Sequence, residues 1–145
     1  MTGRNTMELL IDNRESIKEL FVDPEINVHF ANLLLGDYIL KHDDKEVIII
    51  ERKTIEDYAS SIRDGRGREQ KARLLSNYSK HQIIYLVEGN ISKQNASYSF
   101  NKVTKETIIS SIVNTMLRDK INVFHTKDIN ETIFFIQTLY KKIRK

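Results

Sequence analysis

The chain of 145 residues contains no cysteine, which excludes disulfides, thiolate zinc sites and cysteine nucleophiles together. No apolar run approaches the ~20 residues needed to span a bilayer. The N-terminus, MTGRNTMELL, lacks the charged-then-apolar order of a secretory signal. These absences point to a reducing intracellular setting, nucleus or cytoplasm, and to no membrane partner. No glycine-rich loop followed by Lys-Ser or Lys-Thr is present, so nucleotide hydrolysis is not expected. The four histidines, His29, His42, His81 and His125, show no ligand spacing. Heptads and internal repeats are also missing. The formal net charge is only +3, so the overall balance does not announce a nucleic-acid partner.

What remains is ordinary for a soluble globular domain. The chain is 40% hydrophobic and 30% charged, and it is long enough for one domain with a proper core. The charge is unevenly spread. Between Ser61 and Lys80 stand six Lys or Arg against two acids, a local +4 that exceeds the net charge of the whole chain. A local basic segment of this kind suits phosphate contacts.

The chain turns on residues 47–57, VIIIERKTIED. A β-branched apolar run predicts a buried strand, and it ends abruptly in Glu51, Arg52 and Lys53. Strand side chains alternate, so Glu51 and Lys53 share one face and Arg52 points to the other. Residues 36–40 (GDYIL) predict the preceding strand and 41–45 (KHDDK) a polar turn. With the hairpin centre near Asp43 or Asp44, Asp37 falls opposite Ile50 or Glu51. Facing Cβ atoms lie about 5 Å apart, so Asp37 and Glu51 can reach one divalent cation. Carboxylate oxygens suit Mg²⁺ or Mn²⁺, and Lys53 beside them can orient a water or stabilise charge on a phosphate. The same short spacing also fits a solvated strand edge carrying a surface ion pair.

Around this centre the pattern alternates. Residues 8–12 (ELLID) predict a strand, 14–21 a helix, and Asp23-Pro24 a break. Residues 26–30 (INVHF) predict a second strand. Thr54 sits at a natural N-cap with Asp57 three residues on, so Asp57 is either a cap partner or part of the site. The stretch 64–68 (DGRGR) predicts a mobile turn before a helix over 69–78. Residues 82–87 (QIIYLV) are too apolar to alternate and predict a central strand covered on both faces. Residues 92–101 predict a polar loop. An apolar stripe from Thr104 to Leu117 predicts a helix, residues 121–125 a strand, and Asp128 the start of a last helix. That last helix is apolar over an arc wider than one contact needs, fitting either burial on two sides or a dimer surface. The fold expected is α/β, a mixed central sheet flanked by helices.

The residues Gly36-Asp37 and Glu51-Arg52-Lys53, followed by Asp57, resemble the GD…ERKxxxD signature of the XPF-type structure-specific DNA endonucleases. Asp12-Asn13-Arg14-Glu15 resembles the D-x-R-E element after that domain's first strand. Ser61-Ile62-Arg63-Asp64-Gly65-Arg66, with Glu69-Gln70-Lys71 and Arg73-Leu74, resembles its following helix region. The resemblance covers nearly all of residues 7–145, leaving 1–6 as an expected flexible N-terminus. It implies a restriction-endonuclease-like core and Mg²⁺- or Mn²⁺-dependent cleavage of branched or flapped DNA, in repair or recombination. Asp37 and Glu51 would hold the metal, with the Arg52 backbone carbonyl and Asp12 as further ligands and Glu15 near the same cluster. Lys53 would position the water or phosphate, and Arg52 would steady the site from behind. Arg14, Arg63, Arg66, Arg68, Gln70, Lys71 and Arg73 would contact DNA. The family pairs its nuclease domains through the C-terminal region, which implies a homodimer or heterodimer. It usually adds a helix-hairpin-helix module, absent here, so either a fragment or a minimal nuclease is expected. The family also contains scaffold partners without activity. Such partners tend to lack one of the acids or the lysine, whereas all are present in this chain.

Overall fold

The computed structural model describes residues 6–91 and 103–144. The expected polar loop at 92–101 and all but Thr6 of the expected N-terminal arm lie outside those residues. Among the described residues, six strands form one mixed sheet in the order β2-β1-β3-β4-β5-β6. They are β1 (Met7–Asp12), β2 (Val28–Ala31), β3 (Tyr38–His42), β4 (Lys45–Thr54), β5 (Ile83–Glu88) and β6 (Asn122–Thr126). β1 pairs antiparallel with β3 and β3 antiparallel with β4, whereas β2–β1, β4–β5 and β5–β6 are parallel. Among the same residues four α-helices cover the sheet: α1 (Ile55–Asp64), α2 (Arg66–Asn77), α3 (Lys105–Leu117) and α4 (Ile129–Arg144).

The alternation of strand side chains divides the core in two. On one face Leu9, Ile11, Tyr38, Leu40 and Ile50 pack with Ile136 and Tyr140 of α4. On the other, Ile39, Ile49, Ile83 and Val87 pack with Ile55 and Ala59 of α1, Leu74 of α2 and Ile108 of α3. β5 lies between both layers and is buried at all six positions, which explains why its sequence does not alternate. The α/β expectation holds. No helix among the described residues is long and apolar enough to cross a membrane.

Two local expectations are corrected. Residues 14–21 form turns and a single 3₁₀ turn at Lys18–Leu20 rather than a helix. So short a segment nucleates poorly by itself, and its side chains are tied elsewhere: Arg14 to Asp12, Lys18 to the Asn13 carbonyl, and Ile17 and Phe21 to the core. The expected mobile turn at 64–68 contracts to one residue. Gly65, at φ 76°, ends α1 and α2 begins at Arg66, so Arg66 and Arg68 belong to a helix. The helix expected after Thr104 forms as α3, although its stripe is only partly core, because Ile109, Val113, Met116 and Leu117 stay exposed.

Candidate functional site

The β3–β4 hairpin closes through Asp43 and Asp44, both at positive φ, as a two-residue turn that matches strand twist. Pairing begins His42↔Lys45 and Lys41↔Glu46, then shifts to Leu40↔Ile48, Ile39↔Ile49 and Tyr38↔Ile50. That one-residue bulge decides the site. Continued without it, Asp37 would fall opposite Ile50; with it, Asp37 falls opposite Glu51. A one-residue slip would send the two carboxylates to opposite faces.

Glu51 and Lys53 share that face, with Lys53 Nζ 3.2 Å from Glu51 Oε2 and the side chains only 12% and 14% exposed. Burial pushes the Asp37 carboxyl up to about 8, and the neighbouring Glu51 charge adds to the rise. Asp37 Oδ2 accepts the Arg52 backbone N–H at 2.8 Å. The N–H and C=O of one strand residue point to the same edge. The Arg52 carbonyl therefore lies on the Asp37 edge, past the end of β3. Two half-buried carboxylates that repel each other, with a carbonyl beside them, fit a hard divalent cation completed by water and phosphate oxygens. Among the described residues no three His, Asp or Glu converge as a ligand cluster.

The acids of β1 and the turn after it are placed differently from one another. Asp12 is buried. Its Oδ1 accepts the Leu33 N–H at 2.9 Å and its Oδ2 accepts Arg14 Nε at 2.8 Å. Burial opposes its ionisation, but these bonds outweigh it and hold the carboxyl below its usual range. Asp12 thus clamps the loop that leads to Gly36-Asp37, with both oxygens committed. Glu15 turns to Arg52 instead. The Arg52 side chain, on the face opposite Glu51, donates from Nη1 to Glu15 at 2.8 Å and from Nε and Nη2 to both Glu88 oxygens at 3.0 and 2.8 Å. Burial pushes the Glu15 carboxyl up. It also opposes Glu88, but the bonds from Arg52 and Thr132 keep Glu88 below its usual range. Thr132 of α4 donates to Glu88 at 2.6 Å, so the hairpin end is tied to the back layer. Sequence reasoning missed Glu88 and Thr132. Glu88 ends an apolar strand, but only the parallel register, with Arg52 opposite Leu86, brings it beneath Arg52.

The front of the site is a cavity of about 510 Å³. Besides Asp37, Glu51 and Lys53 it is lined by Asp12, Arg14, Glu15, Asp57, Gln70 and Arg73. Asp57 gives its backbone N–H to the Thr54 cap at 3.2 Å, while its exposed side chain lines the cavity. Arg63 and Arg66 are exposed, each paired with Asp64 at 3.2 and 3.4 Å. Lys71, expected as a DNA contact, has partners within the chain. It binds Asp119 Oδ2 at 2.9 Å and Thr115 Oγ1 at 2.8 Å, bracing α2 against α3.

The raised Asp37 pKa has a stability consequence. The folded state holds this proton more tightly than the unfolded chain, where an aspartyl group titrates near ~3.9. Its contribution is therefore fully present below that value and is lost as pH rises through about 8. Asp37→Asn keeps an oxygen for the Arg52 N–H and removes the charge. In EDTA its thermal midpoint should match the parent near pH 4 and exceed it above pH 8, by about 1–2 kcal/mol of stability. A difference that does not vary with pH would show that Asp37 is not charged at a cost in the folded state.

Comparison with known proteins places this geometry in context. The family model of the ERCC4 domain matches residues 11–139. The protein described as "Probable crossover junction endonuclease mus81" of Dictyostelium discoideum is 35% identical over 154 residues, covering 90% of this chain and 17% of that protein. The structure-specific endonuclease subunit MUS81 of Rattus norvegicus is 37% identical over 110 residues, covering 76% of this chain and 18% of that protein. The chain therefore spans less than a fifth of the length of these relatives. Among solved structures, XPF from Aeropyrum pernix in complex with DNA superposes with a TM-score of 0.75 at 25% identity, over 94% of this chain and 64% of that one. The shared architecture is the restriction-endonuclease-like sheet.

Proposed function

The chain belongs to the ERCC4 domain family, and from that premise we propose that it is a metal-dependent endonuclease that hydrolyses phosphodiester bonds in branched or flapped DNA. The observation that carries this reading is that the bulge-set register, extended one residue past Tyr38↔Ile50, brings Asp37 beside Glu51 on one face, with Lys53 3.2 Å from Glu51. Asp37, Glu51 and the Arg52 carbonyl would hold Mg²⁺ or Mn²⁺, which supplies Lewis-acid polarisation of the phosphate and a more acidic water. The chain supplies the rest. Lys53 orients the attacking water or the phosphate oxygen and offsets developing negative charge. Arg14 and Arg73 at the cavity wall, with exposed Arg63 and Arg66, hold flanking backbone phosphates. Arg52, fixed between Glu15 and Glu88, keeps the end of β4 still behind the reacting face.

The test is cleavage of labelled flap, splayed-arm and plain duplex DNA in Mg²⁺, Mn²⁺ or EDTA. Cutting near the branch that needs the metal is the expected result. Cutting of linear duplex at a defined sequence would instead mark a sequence-reading enzyme. Binding of branched DNA with no cutting in any metal would favour a scaffold of the same family.

The same reading includes a dimer formed through the C-terminal half. Phe134 of α4 is 70% exposed and Leu117 of α3 is 64% exposed, while Phe124 on the edge strand β6 stacks on Phe135 at 4.1 Å. A matching relative is itself named a subunit. Sedimentation equilibrium should give a dimer that Phe134→Glu converts to monomer, weakening association by roughly tenfold or more. An unchanged dimer would move the interface elsewhere.

A further inference from the structure

A second cavity, of about 250 Å³, lies beside the first, and Lys53 lines both. Its wall includes Tyr85 of β5, Tyr58 of α1, Gly67 and Arg68 of α2, and Asn114 of α3. None of these side chains has a role in the hydrolysis described above. The cavity is smaller than the ~300–1,000 Å³ usual for sites that enclose drug-sized ligands. It suits one flat ring system, with guanidinium and amide groups for hydrogen bonds to its edge and the small accessible parts of the buried Tyr58 and Tyr85 as apolar wall.

The cavity is held open by its surroundings. The Tyr58 hydroxyl and Ser111 Oγ lie 3.0 Å apart, tying α1 to α3. The contacts of Lys71 with Thr115 and Asp119 tie α2 to α3. Gly67 has no backbone reason to be glycine. It lies in the first turn of α2 with no left-handed backbone, where alanine would fit at least as well. A Cβ there would meet the Ser61 Cβ at 3.6 Å, an ordinary contact. What a longer side chain at 67 would do is occupy the cavity.

We propose that this cavity receives an unpaired nucleobase of the strand being cut, one step from the phosphate at Lys53. The proposal rests on the nuclease reading and gives it a means of recognising branches. A base must leave the stack to enter, and this is least costly for a nucleotide that is already single-stranded. A continuous duplex would have to be disrupted first.

The test uses the whole chain, its Gly67→Leu variant, and flaps in which one nucleotide near the cleavage point is replaced by an abasic residue, position by position. Leucine is a better helix former than glycine, so an undiminished thermal midpoint shows that the variant is folded. At one position the abasic substitution should lower the parent's kcat/KM about tenfold, the low end of what one lost base contact costs. Gly67→Leu should lose the same factor on the intact flap and nothing more on the abasic one. Equal cutting of abasic and intact flaps at every position, or losses that multiply, would overturn the proposal while leaving the nuclease reading intact. A second readout does not depend on cutting. With 2-aminopurine at that position, a flap bound to Glu51→Gln protein should change fluorescence, and adding Gly67→Leu should abolish the change. No change with either protein, or no DNA binding at all, would overturn the proposal.

Discussion

Replacing Glu51 with glutamine is expected to slow cleavage of flapped DNA by roughly 10³-fold, the scale of losing one preorganised electrostatic group. Affinity for the same DNA should hold or rise slightly. Glutamine fills the same volume, so the fold should persist, but it removes the charge that faces Asp37 and partners Lys53 at 3.2 Å. Relief of that repulsion should also lower the Asp37 pKa, because the Glu51 charge is its second cause of elevation after burial. DNA binding is expected to survive because the arginines proposed to hold phosphates lie outside the carboxylate pair, and one negative charge fewer favours a polyanion. Single-turnover cleavage and fluorescence anisotropy on one substrate separate the two effects. An unaltered rate would remove Glu51 from the reaction.

The largest expected effect on stability lies at Arg52. Its side chain is 8% exposed between Glu15 and Glu88, which are 7% and 8% exposed. Arg52→Met would leave two buried carboxylates with no cation between them. Breaking a buried ion network from one side costs about 3–5 kcal/mol, and urea titration should show a loss of that size at neutral pH. The loss should shrink in acid. Without arginine both carboxyls have folded-state pKa values raised by burial, so their protonated forms favour the folded state below the usual carboxylate range, and that contribution is lost as pH rises. A loss under about 1 kcal/mol at neutral pH would mean that the network is solvated rather than buried. Activity should fall with stability here, since the Arg52 side chain lies on the face opposite Glu51 and holds Glu15 and Glu88 rather than Asp37 or Glu51.

Much of this was legible from local pattern. Glu51 and Lys53 share a face because strands alternate, and the Thr54 cap and the buried strand β5 follow from residues within one element. The hairpin turn at Asp43-Asp44 was legible too. Its bulge was not, and the sequence left Asp37 opposite either Ile50 or Glu51. Nothing in the KHDDKEV stretch states that Val47 is the unpaired residue; the choice follows from keeping Ile48 and Ile50 in the same core layer as Tyr38 and Leu40, with Ile39 and Ile49 in the other. Long-range partners were equally hidden. Glu88, Thr132 and Asp119 stand far along the chain from Arg52 and Lys71, and only the parallel crossovers bring them together. The helix expected over 14–21 failed for the same reason, because the long-range bonds of Leu33 to Asp12 and Arg52 to Glu15 override a short local period. The basic segment split for a geometric reason. Helical α2 turns Arg73 and Gln70 to the site cavity, Arg68 to the second cavity, and Lys71 inward to α3.

The most direct measurement is a Mn²⁺ titration of the DNA-free protein followed by amide NMR, in which a bound paramagnetic ion broadens only nearby signals. The expected result is selective broadening of Asp37, Glu51 and Arg52 at low Mn²⁺, lost in Glu51→Gln and in Asp37→Asn. Broadening centred elsewhere, or unchanged in both variants, would contradict the assignment of this carboxylate pair as the cation site.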